Sequence, residues 1–160
     1  MFEKMDPRKG FRLQLMKEDG TLTDQAAEYP RLSDPKILDA YKTMVQMREA
    51  DDWIVSLNRQ GRMPTYPPNR GQEANALGAV MALRPDDWLV PAFRENVAFL
   101  YRGVPLEKII LYYYGNEEGS RLDAKTYHVL PFSVPISTQT LHAVGIAYAE
   151  TYLKTDRVVV

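Results

Sequence analysis

The stretch Asp156 to Val160, DRVVV, decides how this chain is read. Successive apolar, β-branched residues with no polar alternation mark a strand covered on both faces, as in parallel sheets flanked by helices. No turn signal follows it, and a lone strand of this type leaves its backbone N–H and C=O groups unpaired. The expectation is therefore an α/β fold: the front part of a larger domain, helix-rich with few strands, and apparently truncated.

Working back from that strand, DDWLVPAF (Asp86 to Phe93) reads as a short strand leaving a turn. Most of the remaining chain is helical in pattern. Ser33-Asp34-Pro35 is an N-cap followed by proline in the first turn. Ile37, Tyr41, Met44, Val45, Trp53 and Leu57 then recur near helical spacing, so residues 34–60 form a long amphipathic helix ended by Gly61. A second helix carries Ala74, Leu77, Val80 and Leu83 and stops at Arg84-Pro85. A third passes through Asn96, Leu100 and Tyr101 to Gly103. Pro105 opens a fourth, LEKIILYYYG, with Gly115 at its C-cap position. A fifth, TQTLHAVGIAYAETYLK, has Leu141, Val144, Tyr148 and Tyr152 along one stripe.

The connections are less regular. Residues 115–128 are polar and read as a mobile link, and HVLPFSVPISTQ holds too much proline for an interior strand. Residues 1–32 are dense in turn signals, with FRLQLM as a short strand or extended segment, and form an N-terminal arm. Residues 33–160 form the partial α/β domain.

Composition excludes several function classes. The balance of 20 basic against 21 acidic residues gives a net charge of -1, so no global field recruits nucleic acid or an anionic membrane. With no cysteine there is neither a disulfide framework nor a thiolate metal cluster, which suits a cytoplasmic protein. The N-terminal residues form neither a signal peptide nor a membrane span. No P-loop, dinucleotide-type glycine motif or nucleophile elbow is present.

The residues that could carry chemistry each have a plainer alternative. Arg94 sits where a strand gives way to a helix, a place where a guanidinium and backbone N–H groups can share an anion; it could equally be an ordinary surface arginine. Glu73 could act as a general base, but an acid favouring the positive end of a helix is the simpler role. Tyr112 to Tyr114 lack the basic stripe of a base-stacking platform. His128, between a polar link and an extended apolar segment, is a candidate catalytic residue. His142 falls inside a helical stripe and is read as structural or as facing a partner. Arg59 and Arg62 are read as satisfying the last carbonyls of the first long helix. Asp86-Asp87 and Glu117-Glu118 are read as solvated turns.

Ordered blocks go further than single residues. SLNRQGR followed by GQEA, then LVPAFRENVAFLYRGVPLEKII, then VLPFSVPISTQTLHAVGIAYA and finally DRVVV resemble the α subunit of the thiamine-diphosphate-dependent first component of 2-oxo acid dehydrogenase complexes, of the pyruvate and branched-chain type. The resemblance covers residues 33–160 in order, and the arm FRLQLMKEDGTL resembles that of bacterial members. It implies a thiamine-diphosphate-binding α/β domain that takes the diphosphate half of the cofactor. A β subunit then supplies the aminopyrimidine side and the activating glutamate, which leaves Glu73 to its capping role.

The family's Tyr-Arg pair at the diphosphate matches Phe93 and Arg94; Phe93 keeps an aromatic wall but has no hydroxyl to donate. Val134 and Ile136 match the loop whose backbone meets the aminopyrimidine. In the same loop Ser133, Pro135, Thr138 and Gln139 match positions whose oxygens hold a monovalent cation, K⁺, in the family. Tyr66, Asn69, Arg70 and Gln72 are expected at the substrate entrance or the subunit boundary. The family's magnesium ligands, in a Gly-Asp-Gly motif and a later asparagine, have no counterpart in this chain and are expected beyond Val160, so Mg²⁺ would be held there.

The implied activity is oxidative decarboxylation of a 2-oxo acid, pyruvate favoured as in the step that follows glycolysis, with transfer of the acyl group to a lipoyl acyltransferase component. The implied partners are the β subunit and a second α subunit in a heterotetramer. A branched-chain 2-oxo acid or acetoin is the alternative substrate, because SVPISTQ resembles the branched-chain version of the loop while residues 115–130 are short as in bacterial pyruvate-type members. A non-catalytic assembly module is the alternative from a different class. The 160-residue piece alone is expected to be inactive and to expose apolar faces.

Overall fold

A computed structural model describes residues 6–10 and 12–160; what was expected of the arm at residues 1–5 and Phe11 lies outside the described residues. The chain divides into two compact units, Met1–Ile37 and Leu38–Val160.

In the first unit the segment expected to be extended folds back on itself. Met16 and Leu22 pair as an antiparallel bridge. The turn between them closes through Lys17 N–H to the Thr21 carbonyl at 2.8 Å and Gly20 N–H to the Lys17 carbonyl at 3.0 Å. Gly20 sits at φ +83°, where a side chain would be strained. The Asp19 carboxylate accepts both the N–H and the hydroxyl of Thr21, at 2.9 and 2.7 Å, so Lys-Glu-Asp-Gly is turn chemistry written locally. A short 3₁₀ turn, Asp24–Glu28, follows.

The second unit is built around short parallel pairings. Trp88 pairs with Val159 and Leu89 with Val129, both parallel. Trp88 and Val90 donate to the carbonyls of Val158 and Val160 at 2.8 and 2.7 Å, and Leu89 donates to that of His128 at 2.9 Å. Residues 88–90 are thus central, with 128–130 on one side and 158–160 on the other. The terminal DRVVV, which the sequence alone leaves unpartnered, has its partner in the DDWLVPAF segment, and His128 to Leu130 pair as well because Pro131 and Pro135 fall after the paired positions.

The helices are α1 (Asp34–Arg59), α2 (Glu73–Met81), α3 (Asn96–Tyr101), α4 (Leu106–Tyr114), α5 (Ala124–Tyr127) and α6 (Thr138–Tyr152). Gly61, Gly103 and Gly115 all adopt positive φ just after helices, as their positions predict. Among the described residues no helix is long and apolar enough to cross a membrane.

The face that α1 buries is not the one its apolar spacing suggests. Met47, Ala50 and Ile54 enter the core, while Tyr41 and Val45 are exposed and Trp53 is 72% exposed. The buried stripe runs through Asp51, only 1% exposed, and an acidic residue in its middle disguises the inward face. Arg59 and Arg62 do not close the end of α1. Backbone N–H groups of Gln60, Gly61 and Arg62 reach the carbonyls of Ser56, Asn58 and Leu57, and the Asn58 side chain donates to the Met63 carbonyl at 2.8 Å.

Residues 115–128 are structured rather than a loose link. Asn116 caps a 3₁₀ turn, Glu117–Gly119, and Asp123 caps α5. Gly119 is buried against α4 so closely that a Cβ there would lie 2.1 Å from the backbone nitrogen of Tyr112. Backbone cannot yield as a side chain does. Phe132 stacks on Phe99 with ring centroids 3.9 Å apart and joins this region to the core.

Asp87 corrects the turn reading: it is 3% exposed, not solvated, whereas Glu117 and Glu118 are exposed as read. Arg84 donates to it from the backbone at 2.7 Å and from Nη2 at 3.0 Å, and Val158 N–H donates at 2.8 Å. Burial by itself would raise its pKa, but the Arg84 side chain and the N–H groups of Val158 and Arg84 outweigh it and hold the carboxyl at about 2. Arg84 also reaches Asp156 at 2.7 Å, so one arginine clips the central segment to its outer neighbour.

Gly119→Ala should be strongly destabilising, by about 2 kcal/mol or more, because α4 and the 3₁₀ turn must separate to admit a methyl group; a denaturant titration that shows an unchanged midpoint would contradict this packing. The Asp87 carboxylate has a folded pKa below its ordinary 3.8, so its contribution is complete above that value and is lost as pH falls toward 2. Unfolding free energy measured from pH 5 to pH 2 should therefore decline more steeply in the parent than in Asp87→Asn, which should itself be about 2 kcal/mol less stable at neutral pH.

Candidate functional site

The loop from Arg62 to Gln72 has no helix or ladder to shape it, and acidic or basic side chains of α1 do so instead. The Asp51 carboxylate accepts the Tyr66 hydroxyl on one oxygen and the Asn69 N–H, at 2.7 Å, on the other. Burial pushes the Asp51 carboxyl upward, opposed by these donors. Burial, and then Asp51 beside it, push the Tyr66 hydroxyl up as well, so it remains a donor. Further along, Glu73 accepts Arg48 Nε at 2.6 Å and Gly71 N–H at 2.9 Å. Arg48 is the chief cause of the lowered pKa of Glu73. Both its oxygens are engaged, which fits a structural acid at a helix start and not a general base. Arg70 pairs with Asp52 at 2.7 Å across the exposed side.

The network continues into the start of α3. Asn69 Oδ1 accepts the Asn96 N–H at 3.0 Å, which fixes the orientation of the Asn69 amide and leaves its Nδ2 buried with no partner. Asn96 Nδ2 donates to the Tyr66 hydroxyl at 3.2 Å. From α4, the Tyr113 hydroxyl donates to the Phe93 carbonyl at 2.6 Å and lies 3.3 Å from Asn96 Oδ1. Tyr66 and Tyr113 meet edge to face at 4.9 Å. Residues 93–96 are thus pinned from two sides.

Arg94 extends from this pinned segment. Its Nη1 donates to the Pro68 carbonyl at 2.6 Å, and its guanidinium carbon lies 5.6 Å from the centre of the Phe93 ring. Among the described residues it forms no ion pair, so the remaining guanidinium N–H groups have no carboxylate to neutralise them. Beside it, a hollow of about 420 Å³ is lined by Tyr66, Pro67, Phe93, Tyr112, Tyr113 and Val134. The rings of three tyrosines and of Phe93 give it flat, largely apolar walls.

The sequence-derived candidates separate here. Phe93, Tyr66 and Val134 come together in the wall of the hollow, and Arg94 does not line it but packs against the Phe93 ring. Ile136 is 82% exposed and does not line it. Tyr66 and Asn69 are buried in the network rather than standing at an opening, whereas Arg70 and Gln72 are exposed. His128 does not line the hollow either. It adopts φ +49° at the end of α5, its ring packs edge to face on Trp88 at 5.2 Å, and its carbonyl accepts the Leu89 N–H. Ser133, Pro135, Thr138 and Gln139 fall in one turn leading into α6, with Ser137 at φ +67° and Gln139 Oε1 buried without a partner. Among the described residues no group of three or more His, Asp or Glu side chains could hold a metal ion.

Asp51, Asn96 and Tyr113 are the residues that sequence reasoning missed. Asp51 carries a signal in principle, since it lies at helical spacing between Met47 and Ile54 on the inward face.

The family model for the dehydrogenase E1 component matches residues 41–160. The chain belongs to this family. It is 41% identical over 141 residues to the pyruvate dehydrogenase E1 component subunit alpha of Acholeplasma laidlawii, covering 88% of this chain and 40% of that protein. It is 42% identical over 148 residues to the 3-methyl-2-oxobutanoate dehydrogenase subunit alpha of Mycobacterium tuberculosis, covering 92% and 40%. It is 37% identical over 147 residues to the pyruvate dehydrogenase E1 component subunit alpha of Mycoplasma genitalium, again covering 92% and 40%. The chain spans about two fifths of the length of these E1 relatives. What the E1 match adds to the geometry is a family context for the FREN segment, residues 93–96, on which the pinned arginine sits.

Proposed function

We propose that this chain is the front part of the α subunit of a thiamine-diphosphate-dependent 2-oxo acid dehydrogenase, and that Arg94 holds the cofactor's diphosphate. The observation that carries the reading is a guanidinium with unneutralised donors, fixed beside a hollow with aromatic walls. A planar fork of donors gives two charge-assisted hydrogen bonds to phosphate oxygens where an ammonium would act as a point charge. The residues present fit such a group: the Arg94 guanidinium keeps N–H groups beyond the one given to Pro68, and the Phe93 ring supplies an apolar wall. Phe93 contributes no hydroxyl, so one bond that a tyrosine would offer is left to water or to a neighbouring donor.

When bound, thiamine diphosphate would supply the electron sink for decarboxylation. This chain's own residues bind and orient. Arg94 fixes one end of the ligand, Phe93 and Tyr66 exclude water from the hollow, and the backbone at Val134 and Ile136 meets the ring end. Magnesium would be held by residues outside this stretch. A monovalent cation at Ser133, Pro135, Thr138 and Gln139 fits an oxygen-only donor set in which Gln139 Oε1 lacks a partner. The proposed partners are a β subunit, a second α subunit and a lipoyl acyltransferase component that accepts the acyl group.

Pyruvate is the substrate we favour, with 3-methyl-2-oxobutanoate second because relatives of nearly equal identity carry those two substrate names. In the complete enzyme, kcat/KM for pyruvate should exceed that for 3-methyl-2-oxobutanoate; the reverse order would assign the branched-chain reading. Arg94→Ala should weaken thiamine diphosphate binding about 10- to 100-fold in calorimetry with Mg²⁺ present, the loss of one or two charge-assisted hydrogen bonds. Unchanged affinity would remove Arg94 from the site.

A further inference from the structure

We infer that Asp51, a residue of α1 that does not line the hollow, is a positioning residue for the anion site: it sets the Pro68 carbonyl that aims the Arg94 guanidinium. The inference rests on the reading of Arg94 as the diphosphate ligand.

Arg94 is aimed by one hydrogen bond, from Nη1 to the Pro68 carbonyl at 2.6 Å. Pro68 cannot anchor itself, because it has no N–H and lies in a loop without ladder or helix bonds. Its neighbours are anchored instead. The Asn69 N–H shares the peptide unit of the Pro68 carbonyl, and it donates to Asp51 Oδ2 at 2.7 Å. That peptide is planar, so a donor fixed on one side fixes the direction of the carbonyl on the other. Tyr66, two residues earlier, donates to Asp51 Oδ1. One carboxylate on a helix therefore holds both ends of the Tyr66-Pro67-Pro68-Asn69 segment.

The same carboxylate governs the backbone that carries Arg94. Tyr66 and Asn69, once placed by Asp51, receive Asn96 through the Tyr66 hydroxyl and Asn69 Oδ1. The guanidinium and its own main chain are thereby registered against a single group. Only an acceptor with two oxygens can do this. Asparagine at position 51 would turn an amide donor toward either the Asn69 N–H or the Tyr66 hydroxyl, setting donor against donor at the first and forcing the second to reverse.

The test is a double-mutant cycle in the complete native protein, with thiamine diphosphate plus Mg²⁺ and, separately, inorganic pyrophosphate as probes in calorimetry. Asp51→Asn should weaken binding of both about 10-fold or more, and Tyr66→Phe, which removes one hydroxyl and keeps the ring, about 3-fold. In an Arg94→Ala background each substitution should have almost no further effect, because the group that Asp51 positions is gone. Thermal unfolding monitors the fold, and Tyr66→Phe carries the cycle if Asp51→Asn does not fold. Losses that multiply with that of Arg94→Ala, or full affinity in the folded position-51 or position-66 variants, would overturn the inference while leaving Arg94 in place. Unchanged affinity in Arg94→Ala alone would instead overturn the diphosphate reading and this inference with it.

Discussion

A carboxylate taken out of water must be answered by donors, and this requirement organises the second unit. Asp51 sits on the core face of α1 between Met47 and Ile54, almost wholly removed from solvent, and among the described residues no ion pair answers it. Its answers come from Tyr66 and Asn69, so the loop after α1 has to return across the helix instead of wandering over the surface. Glu73 and Arg48 repeat the arrangement one helical turn away, at the start of α2. The loop's proline content fits this picture. Pro64, Pro67 and Pro68 lack N–H groups, so the chain there presents fewer donors that burial would leave unanswered.

The buried polar network and the hollow depend on each other. Tyr66 and Tyr113 each use the hydroxyl for the network and the ring for the wall, which lets two side chains serve both purposes. The apolar groups around them, Phe99 stacked on Phe132 among them, keep the dielectric low, so each hydrogen bond in the network is stronger and each loss is more costly.

Local chemistry was legible in the sequence; distant pairing was not. The helix ends at Gly61, Gly103 and Gly115 could be read because left-handed backbone at a C-terminus favours glycine, and the position of α4 followed from Pro105. Arg94 and Phe93 were legible as a pair once their block was seen in order with the others. The inward face of α1 was not, because Asp51 interrupts it and the aromatic Tyr41 and Trp53 mark the outward side. Residues 115–128 looked featureless because their order comes from capping and from one glycine's fit against α4. Asp87 looked like half of a solvated acidic pair, since neither the N–H of Val158 nor the fold that delivers it can be read at residue 87.

The placement of residues 88–90 between their two neighbours has a temporal side. Its outer neighbours lie far along the chain: residue 129 comes 40 positions after its partner Leu89, and Val158 comes 71 positions after Asp87. A chain emerging from the ribosome makes the middle of this sheet first and must hold an apolar segment with both edges open until the others arrive. Closing loops of that size is slow, and parallel pairings gain nothing until closure is complete. Until closure, residues 88–90 keep unpaired edges and uncovered apolar side chains, the exposure that makes slow-closing parallel segments prone to aggregate.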